Sequence, residues 1–248
     1  MLRAVPARLY VVPASHPCAA AARALELKGV AFTTVNLLPV FHKLHQKVRF
    51  GGAGTVPGLV FEDGTKVLGS TAIIDALEER HREPRLRSGD VREREAEDWG
   101  EQALQPIGRR LIWQGLSRAP QAQLSYTEGV KLVPPAPAPV ARMSAGALAW
   151  AERRIHASTE PAARADLTNL PRHLDRIDGW LEDGVIGGDQ ANAADLQIAS
   201  GLRILLTMGD LAPLIDAHAA GAYARRVFPD YPGHTPAGTL PAGWLPTA

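Results

Sequence analysis

The chain has 248 residues, of which 46% are hydrophobic and 21% are charged, and its formal net charge is +1. This composition is typical of a soluble globular protein, and the near-neutral charge gives no electrostatic reason to expect a nucleic-acid partner. A single cysteine excludes an intrachain disulfide, and no apolar run reaches the roughly 18–20 residues that a membrane-spanning helix needs. We therefore expect a cytoplasmic protein without a targeting segment and without a membrane partner.

Residues 8–29 predict a strand, a sharp corner and a helix. The aliphatic run 9–12 is typical of a strand, and Pro17 suits the first turn of a helix. An apolar stripe at helical spacing begins at Cys18. Ser15 and Cys18 are thus expected at the positive end of a helix, where unpaired N–H groups stabilise a thiolate or bind an anion.

The next elements complete a small α/β unit. Residues 31–37 are rich in β-branched residues and predict a second strand. Residues 38–54 are polar and basic, and predict a connection with at most a short irregular helix. The Asp63-Gly64 dipeptide lies between two short apolar runs, which predicts a hairpin. A helix with Ser70 as its N-cap should follow, up to about residue 80.

Residues 81–90 are charged and without periodicity, and predict a linker. Beyond them the sequence shows no convincing strand. Residues 91–116 are helical in pattern, although Pro106 should kink or break the helix. The proline-rich run 132–140 predicts a stiff connection, with a polyproline ligand as the alternative. Further helical patterns cover 140–156 and 161–182.

Asn192 and Asp195 form a variant of the capping box before the most apolar helical pattern of the chain. Because this helix is apolar on nearly every side, we expect it at the centre of the C-terminal region. The tail 228–248 is rich in proline and glycine and predicts irregular structure.

Ser-His-Pro-Cys at 15–18, Val56-Pro57 and Gly69-Ser70 together resemble the N-terminal domain of the glutathione S-transferase superfamily. The first motif is similar to that of the serine-type theta and delta classes. The resemblance implies an α/β thioredoxin-like domain over residues 1–80, followed after the linker by an all-α domain over 91–248 with an irregular tail. It also implies a homodimer.

The resemblance implies a role for each motif. Ser15 would donate a hydrogen bond to the glutathione thiolate, although a plain N-cap is the alternative. Pro57 would be cis and would present the backbone of Val56 to the tripeptide, and Ser70 with Thr71 would bind its γ-glutamyl carboxylate. The remaining candidates are His42 and Lys43 for the glycine carboxylate, Gly69 where the family usually has Glu or Gln, and Trp99, Arg109 and Trp113 for an electrophile pocket between the domains. Core packing is the alternative for both tryptophans.

The implied function is conjugation of a bound thiol, with glutathione as co-substrate, to a small apolar electrophile. No tightly bound cofactor is required, and the scattered histidines predict no metal site. Two alternatives remain open. Cys18 could serve a glutaredoxin-like thiol–disulfide reductase or peroxidase, unless it is a core residue. The absence of a side chain at Gly69 favours either another thiol or a non-catalytic binding or scaffold protein.

Overall fold

The computed structural model describes residues 6–52, 54–135 and 137–246. Its N-terminal part is a mixed five-stranded sheet with the order β4-β3-β1-β2-β5. The strands are β1 (Ala7–Val11), β2 (Phe32–Leu37), β3 (Gly58–Val60), β4 (Lys66–Leu68) and β5 (Leu132–Val133). β1 runs parallel to β2 and antiparallel to β3, and β3 and β4 form the predicted hairpin. The prediction of a thioredoxin-like domain is confirmed.

The edge strand β5 corrects the expectation that the region after residue 90 contains no strand. It comes from the C-terminal region and pairs in parallel with β2, where Asn36 lies opposite Leu132 and Leu37 opposite Val133. A strand of two residues in a proline-rich run has no detectable period, and its partner lies far away in sequence. The C-terminal region is therefore largely helical rather than all-α.

Three helices belong to the N-terminal part: α1 (His16–Leu27), α2 (Phe41–Phe50) and α3 (Ser70–Arg80). α1 buries its predicted apolar stripe and packs against α3 and the central C-terminal helix. α2 is longer and more regular than predicted. Its burial is the reverse of the usual one for a surface helix. The polar residues His42 and Gln46 are buried, whereas the apolar residues Phe41, Leu44 and Val48 are exposed.

The C-terminal region contains seven α-helices in the described residues. They are α4 (Val91–Trp99), α5 (Gln105–Arg118), α6 (Ala138–Ile155), α7 (Glu160–Glu182), α8 (Ala193–Leu206), α9 (Ala212–Asp216) and α10 (Ala219–Val227). A π-helical turn, Gly100–Leu104, joins α4 to α5 just before Pro106. Proline has no N–H to donate to the preceding turn, so the predicted disruption occurs here without breaking the helix.

α8 is the centre of the C-terminal region, as its composition predicts. Thirteen of its fourteen residues are buried, and it packs against α1, α4, α5 and α10. The predicted capping box is present: Asn192 Oδ1 accepts from the Asp195 N–H at 2.8 Å, and Asp195 Oδ2 accepts from the Asn192 N–H at 2.8 Å. Within the described residues, no helix has both the length and the apolar character needed to cross a bilayer.

The tail after α10 is mostly irregular, as predicted, with one short 3₁₀ turn at Ala242–Trp244. It is nevertheless bound to the rest of the molecule. The Tyr231 hydroxyl donates to the carbonyl of Ala14 at 2.8 Å, and Thr235 bridges to Met208. The tail therefore contacts the corner between β1 and α1 directly.

Candidate functional site

The site is built around the corner between β1 and α1. Ala14 has a φ of 58°, which turns the chain sharply before Ser15. Ser15 is the N-cap residue of α1, yet its hydroxyl makes no capping hydrogen bond. Its side chain is half-buried and faces a cavity. The hydroxyl is therefore not used to satisfy the helix end, which is the usual role of serine at this position.

The cavity has a volume of about 720 Å³ and lies between the sheet and the C-terminal helices. Of the residues predicted for the site, six line it: Ser15, His42, Lys43, Val56, Arg109 and Trp113. Ile112 and Leu116 of α5 and Leu148 of α6 add apolar surface. An apolar cavity with a few polar groups is the usual form of a small-molecule site.

Val56 lines this cavity. The Val56–Pro57 peptide bond is cis, as expected. Pro57 does not line the cavity, but its carbonyl accepts from the Gly69 N–H at 2.8 Å. The N–H and C=O of Val56 find no hydrogen-bond partner among the described residues. One donor and one acceptor are thus available to a peptide-like ligand.

The start of α3 differs from the prediction. Gly69, not Ser70, is the N-cap, and its φ of 103° explains the glycine, because other residues rarely adopt this conformation. Gly69, Ser70 and Thr71 are absent from the described lining of the cavity. Gln197 of α8 contacts both hydroxyls: Ser70 Oγ lies 3.4 Å from Gln197 Oε1, and Thr71 Oγ1 accepts from Gln197 Nε2 at 3.2 Å. The backbone N–H groups of this first helical turn, and the O–H of Thr71, which acts as an acceptor toward Gln197, remain for a ligand.

Comparison with known proteins identifies the family of the N-terminal part. Residues 9–85 match the family model described as glutathione S-transferase, N-terminal domain. Residues 9–85 are similar to this domain. No curated protein sequence matches the chain.

Solved structures extend the likeness to nearly the whole chain. A glutathione S-transferase from Rhodospirillum rubrum F11 is 23% identical, with a TM-score of 0.57 over 89% of this chain and 87% of that chain. The glutathione transferase GSTFuA3 from Phanerochaete chrysosporium is 16% identical, with a TM-score of 0.63 over 91% and 97%. FzlA from C. crescentus is 18% identical, with a TM-score of 0.58 over 98% and 97%. At these identities the shared property is the glutathione S-transferase fold.

Cys18 lies in the core of this fold. Its side chain is 3% exposed and packs with the apolar stripe of α1. Burial raises its pKa to about 12, and the nearby Ser15 hydroxyl lowers it too little to offset this rise. A thiol with such a pKa is almost entirely protonated at neutral pH, so it is a poor nucleophile. The interpretation of Cys18 as a core residue is confirmed.

Trp99 is not a wall of the cavity. Its ring packs edge-on against Trp180, with centroids 5.3 Å apart, and beside His173 at 5.6 Å, so it contacts α7. The placement of Trp99 in the electrophile pocket is therefore wrong. The π-helical turn after Trp99 changes the helical phase between Trp99 and Trp113, which a uniform helical period does not anticipate.

Several polar residues of the cavity wall were not predicted from the sequence, among them His16, Glu152 and His156. Glu152 of α6 is 2% exposed; its Oε1 accepts from the Val40 N–H at 3.2 Å, and its Oε2 lies 3.3 Å from His156 Nε2. The sequence signal for Glu152 was that an acidic residue directly follows the apolar residues 147–151. Among the described residues, no group of three or more His, Cys, Asp or Glu could hold a metal ion.

Proposed function

We propose that this chain is a glutathione transferase that joins a bound thiol, with glutathione as the co-substrate, to a small electrophile with a largely apolar body. The observation that carries the proposal is the Ser15 hydroxyl. Ser15 lies at the N-terminus of α1 and lines a cavity of about 720 Å³, and its hydroxyl is not used as a helix cap. A thiolate bound there would receive a hydrogen bond and the favourable field of the helix.

The proposed reaction needs no tightly bound cofactor. The thiol S–H loses its proton to solvent, and Ser15 donates a hydrogen bond to the resulting thiolate. A sulfur lone pair then forms the new bond to the electrophilic atom, and the leaving group departs with its bonding electron pair. The role of Ser15 is to lower the pKa of the bound thiol so that more thiolate exists at neutral pH.

The peptide part of the thiol would lie along the N-terminal domain. The free N–H and C=O of Val56 would pair with its cysteine residue in a short antiparallel ladder. The first-turn N–H groups of Ser70 and Thr71 would bind the γ-glutamyl carboxylate. His42 and Lys43 line the cavity and would face the glycine carboxylate.

The proposal extends to the homodimer and the compartment. We expect a two-fold dimer, the commonest kind of soluble assembly, with the N-terminal domain of each subunit against the helical region of the other. A reducing cytoplasm suits a reaction that consumes a free thiol. Sedimentation of a monomer at micromolar concentration would rule out the dimer and leave the fold unaffected.

Calorimetry with glutathione, followed by turnover of glutathione with a chlorodinitrobenzene, tests the function. We expect saturable binding and release of chloride, both in the wild type. Binding without turnover of several electrophiles would favour a binding or scaffold protein. Absence of any thiol binding would contradict the proposal. Activity toward mixed disulfides that is lost in Cys18→Ser would favour the reductase, which the burial of Cys18 opposes.

A further inference from the structure

We propose that the electrophile pocket contains a subsite for an anionic group, such as a carboxylate, and that Arg109 binds this group. The inference rests on the proposed transferase function and names the class of its second substrate. It follows from the charges of the cavity wall, namely those of Arg109, its neighbour Arg110 and the groups that face them.

Two consecutive arginines of α5 have different surroundings. Arg110 donates to both oxygens of Asp166, from Nε at 2.6 Å and from Nη2 at 2.7 Å. Arg109 is half-buried in the cavity wall and has no hydrogen bond or ion pair with any described residue. A partly buried cation without a counter-ion is costly, and an anionic ligand would remove that cost. Arg110 thus has a structural partner, and Arg109 does not.

Among the described residues that line the cavity, no other group could serve as the counter-ion. Its described lining holds two permanent cations, Lys43 and Arg109, and one carboxylate, Glu152. Glu152 is already occupied by the Val40 N–H and by His156. Glu101 favours the charged form of Arg109 from a distance, but burial and Arg110 act more strongly and lower the pKa of Arg109. The interior of the cavity therefore has an excess of positive charge.

A second polar group on the same wall lacks a partner. The ring of His16 is 3% exposed, and its Nε2 makes no hydrogen bond in the described structure. It packs against α5, since a methyl group added at Gly108 would lie 3.6 Å from its Cε1. An apolar group placed here would leave both His16 and Arg109 unsatisfied, whereas a polar ligand group would not.

The position of Arg109 favours the electrophile over the thiol as the source of the anion. The contacts proposed for glutathione lie on the N-terminal domain, at Val56 and at the start of α3. Arg109 lies on α5 of the C-terminal region, as do the cavity-lining residues Ile112 and Trp113. Its planar guanidinium suits two parallel hydrogen bonds to a carboxylate. The substrate class that fits is an electrophile with an apolar body and one acidic group.

Binding of dinitrobenzoate and dinitrobenzamide tests this subsite, because the two compounds differ mainly in charge. Both are titrated into the wild-type protein containing glutathione, with intrinsic tryptophan fluorescence as one readout and calorimetry as the other. We expect the wild type to bind the benzoate about tenfold or more tightly than the benzamide. Arg109→Gln should abolish this preference and Arg109→Lys should retain part of it. Arg82→Gln, at an exposed loop residue, is the matched control and should leave it unchanged.

Three results would overturn the subsite: equal binding of both compounds to the wild type, no binding of the benzoate, or a preference that persists in Arg109→Gln. A parallel titration of glutathione alone separates the two proposals. We expect Arg109→Gln to change glutathione affinity by less than about threefold. A loss as large as that for the benzoate would assign Arg109 to the thiol and overturn the subsite. Failure of the wild type to bind or use glutathione would count against the transferase function. The preference for the benzoate over the benzamide would then be measured in the absence of glutathione.

Discussion

Helices α1 and α8 both begin with a small polar residue, and the two starts use it differently. At α8, Asn192 and Asp195 bond to each other's N–H groups, and Asp195 also accepts from the Gly187 N–H at 2.7 Å and the Tyr223 hydroxyl at 2.8 Å. At α1, the Ser15 hydroxyl makes no capping bond and faces a cavity. The first arrangement stabilises the core, whereas the second leaves donors available to a ligand.

The largest effect should come from Asp195→Ala. Asp195 is fully buried, and its loss leaves three buried or part-buried donors without their acceptor: the N–H groups of Gly187 and Asn192 and the Tyr223 hydroxyl. At roughly 1–3 kcal/mol for each unsatisfied group, we expect the free energy of unfolding to fall by about 3–5 kcal/mol in urea titrations. The same change at the exposed Asp189 is the control and should cost less than about 0.5 kcal/mol. Equal effects at the two positions would show that the capping box contributes little.

Ser15→Ala should produce the opposite result, with activity lost and stability kept. Loss of a hydrogen bond to a charged group costs about 1.5–3 kcal/mol, so kcat at neutral pH should fall by about tenfold or more. The free energy of unfolding should change by less than about 0.5 kcal/mol, because no capping bond is lost. Ser117→Ala, whose hydroxyl donates within α5 to the Gln114 carbonyl, is the control for kcat. A destabilised Ser15→Ala with unchanged kcat would make Ser15 a structural residue.

A smaller effect is expected from Tyr231→Phe, which tests how the start of α1 is held. The variant removes the donor to the Ala14 carbonyl and should cost about 0.5–1.5 kcal/mol of stability. Because Ala14 precedes Ser15, we expect kcat to fall by about two- to fivefold with little change in glutathione affinity. In the double variant with Ser15→Ala, the two kinetic effects should not add, since both act through the same hydroxyl. Fully additive effects would mean that Tyr231 acts elsewhere.

Local patterns predict much of this molecule. The strand and helix around Ser15, the hairpin at Asp63-Gly64 and the capping box of α8 depend on neighbouring residues, so the sequence alone indicates them. β5 depends on pairing with a distant strand, and α2 buries polar residues and exposes apolar ones, so neither gives the usual pattern. The contacts of the Ser70 and Thr71 hydroxyls with Gln197, more than 120 positions away, are likewise not visible in a sequence.

The central claim is that Ser15 stabilises a bound thiolate, and a spectroscopic titration of enzyme-bound glutathione measures this directly. The ultraviolet absorbance of the thiolate is followed against pH in the wild type and in Ser15→Ala. We expect the pKa of the bound thiol to be higher in Ser15→Ala by roughly one to two units, at 1.36 kcal/mol per unit. Below the wild-type pKa both proteins hold the protonated thiol, and well above the variant pKa both hold the thiolate, so the difference should appear only between the two values. Identical titration curves would contradict the account and show that the thiol is activated elsewhere or not at all.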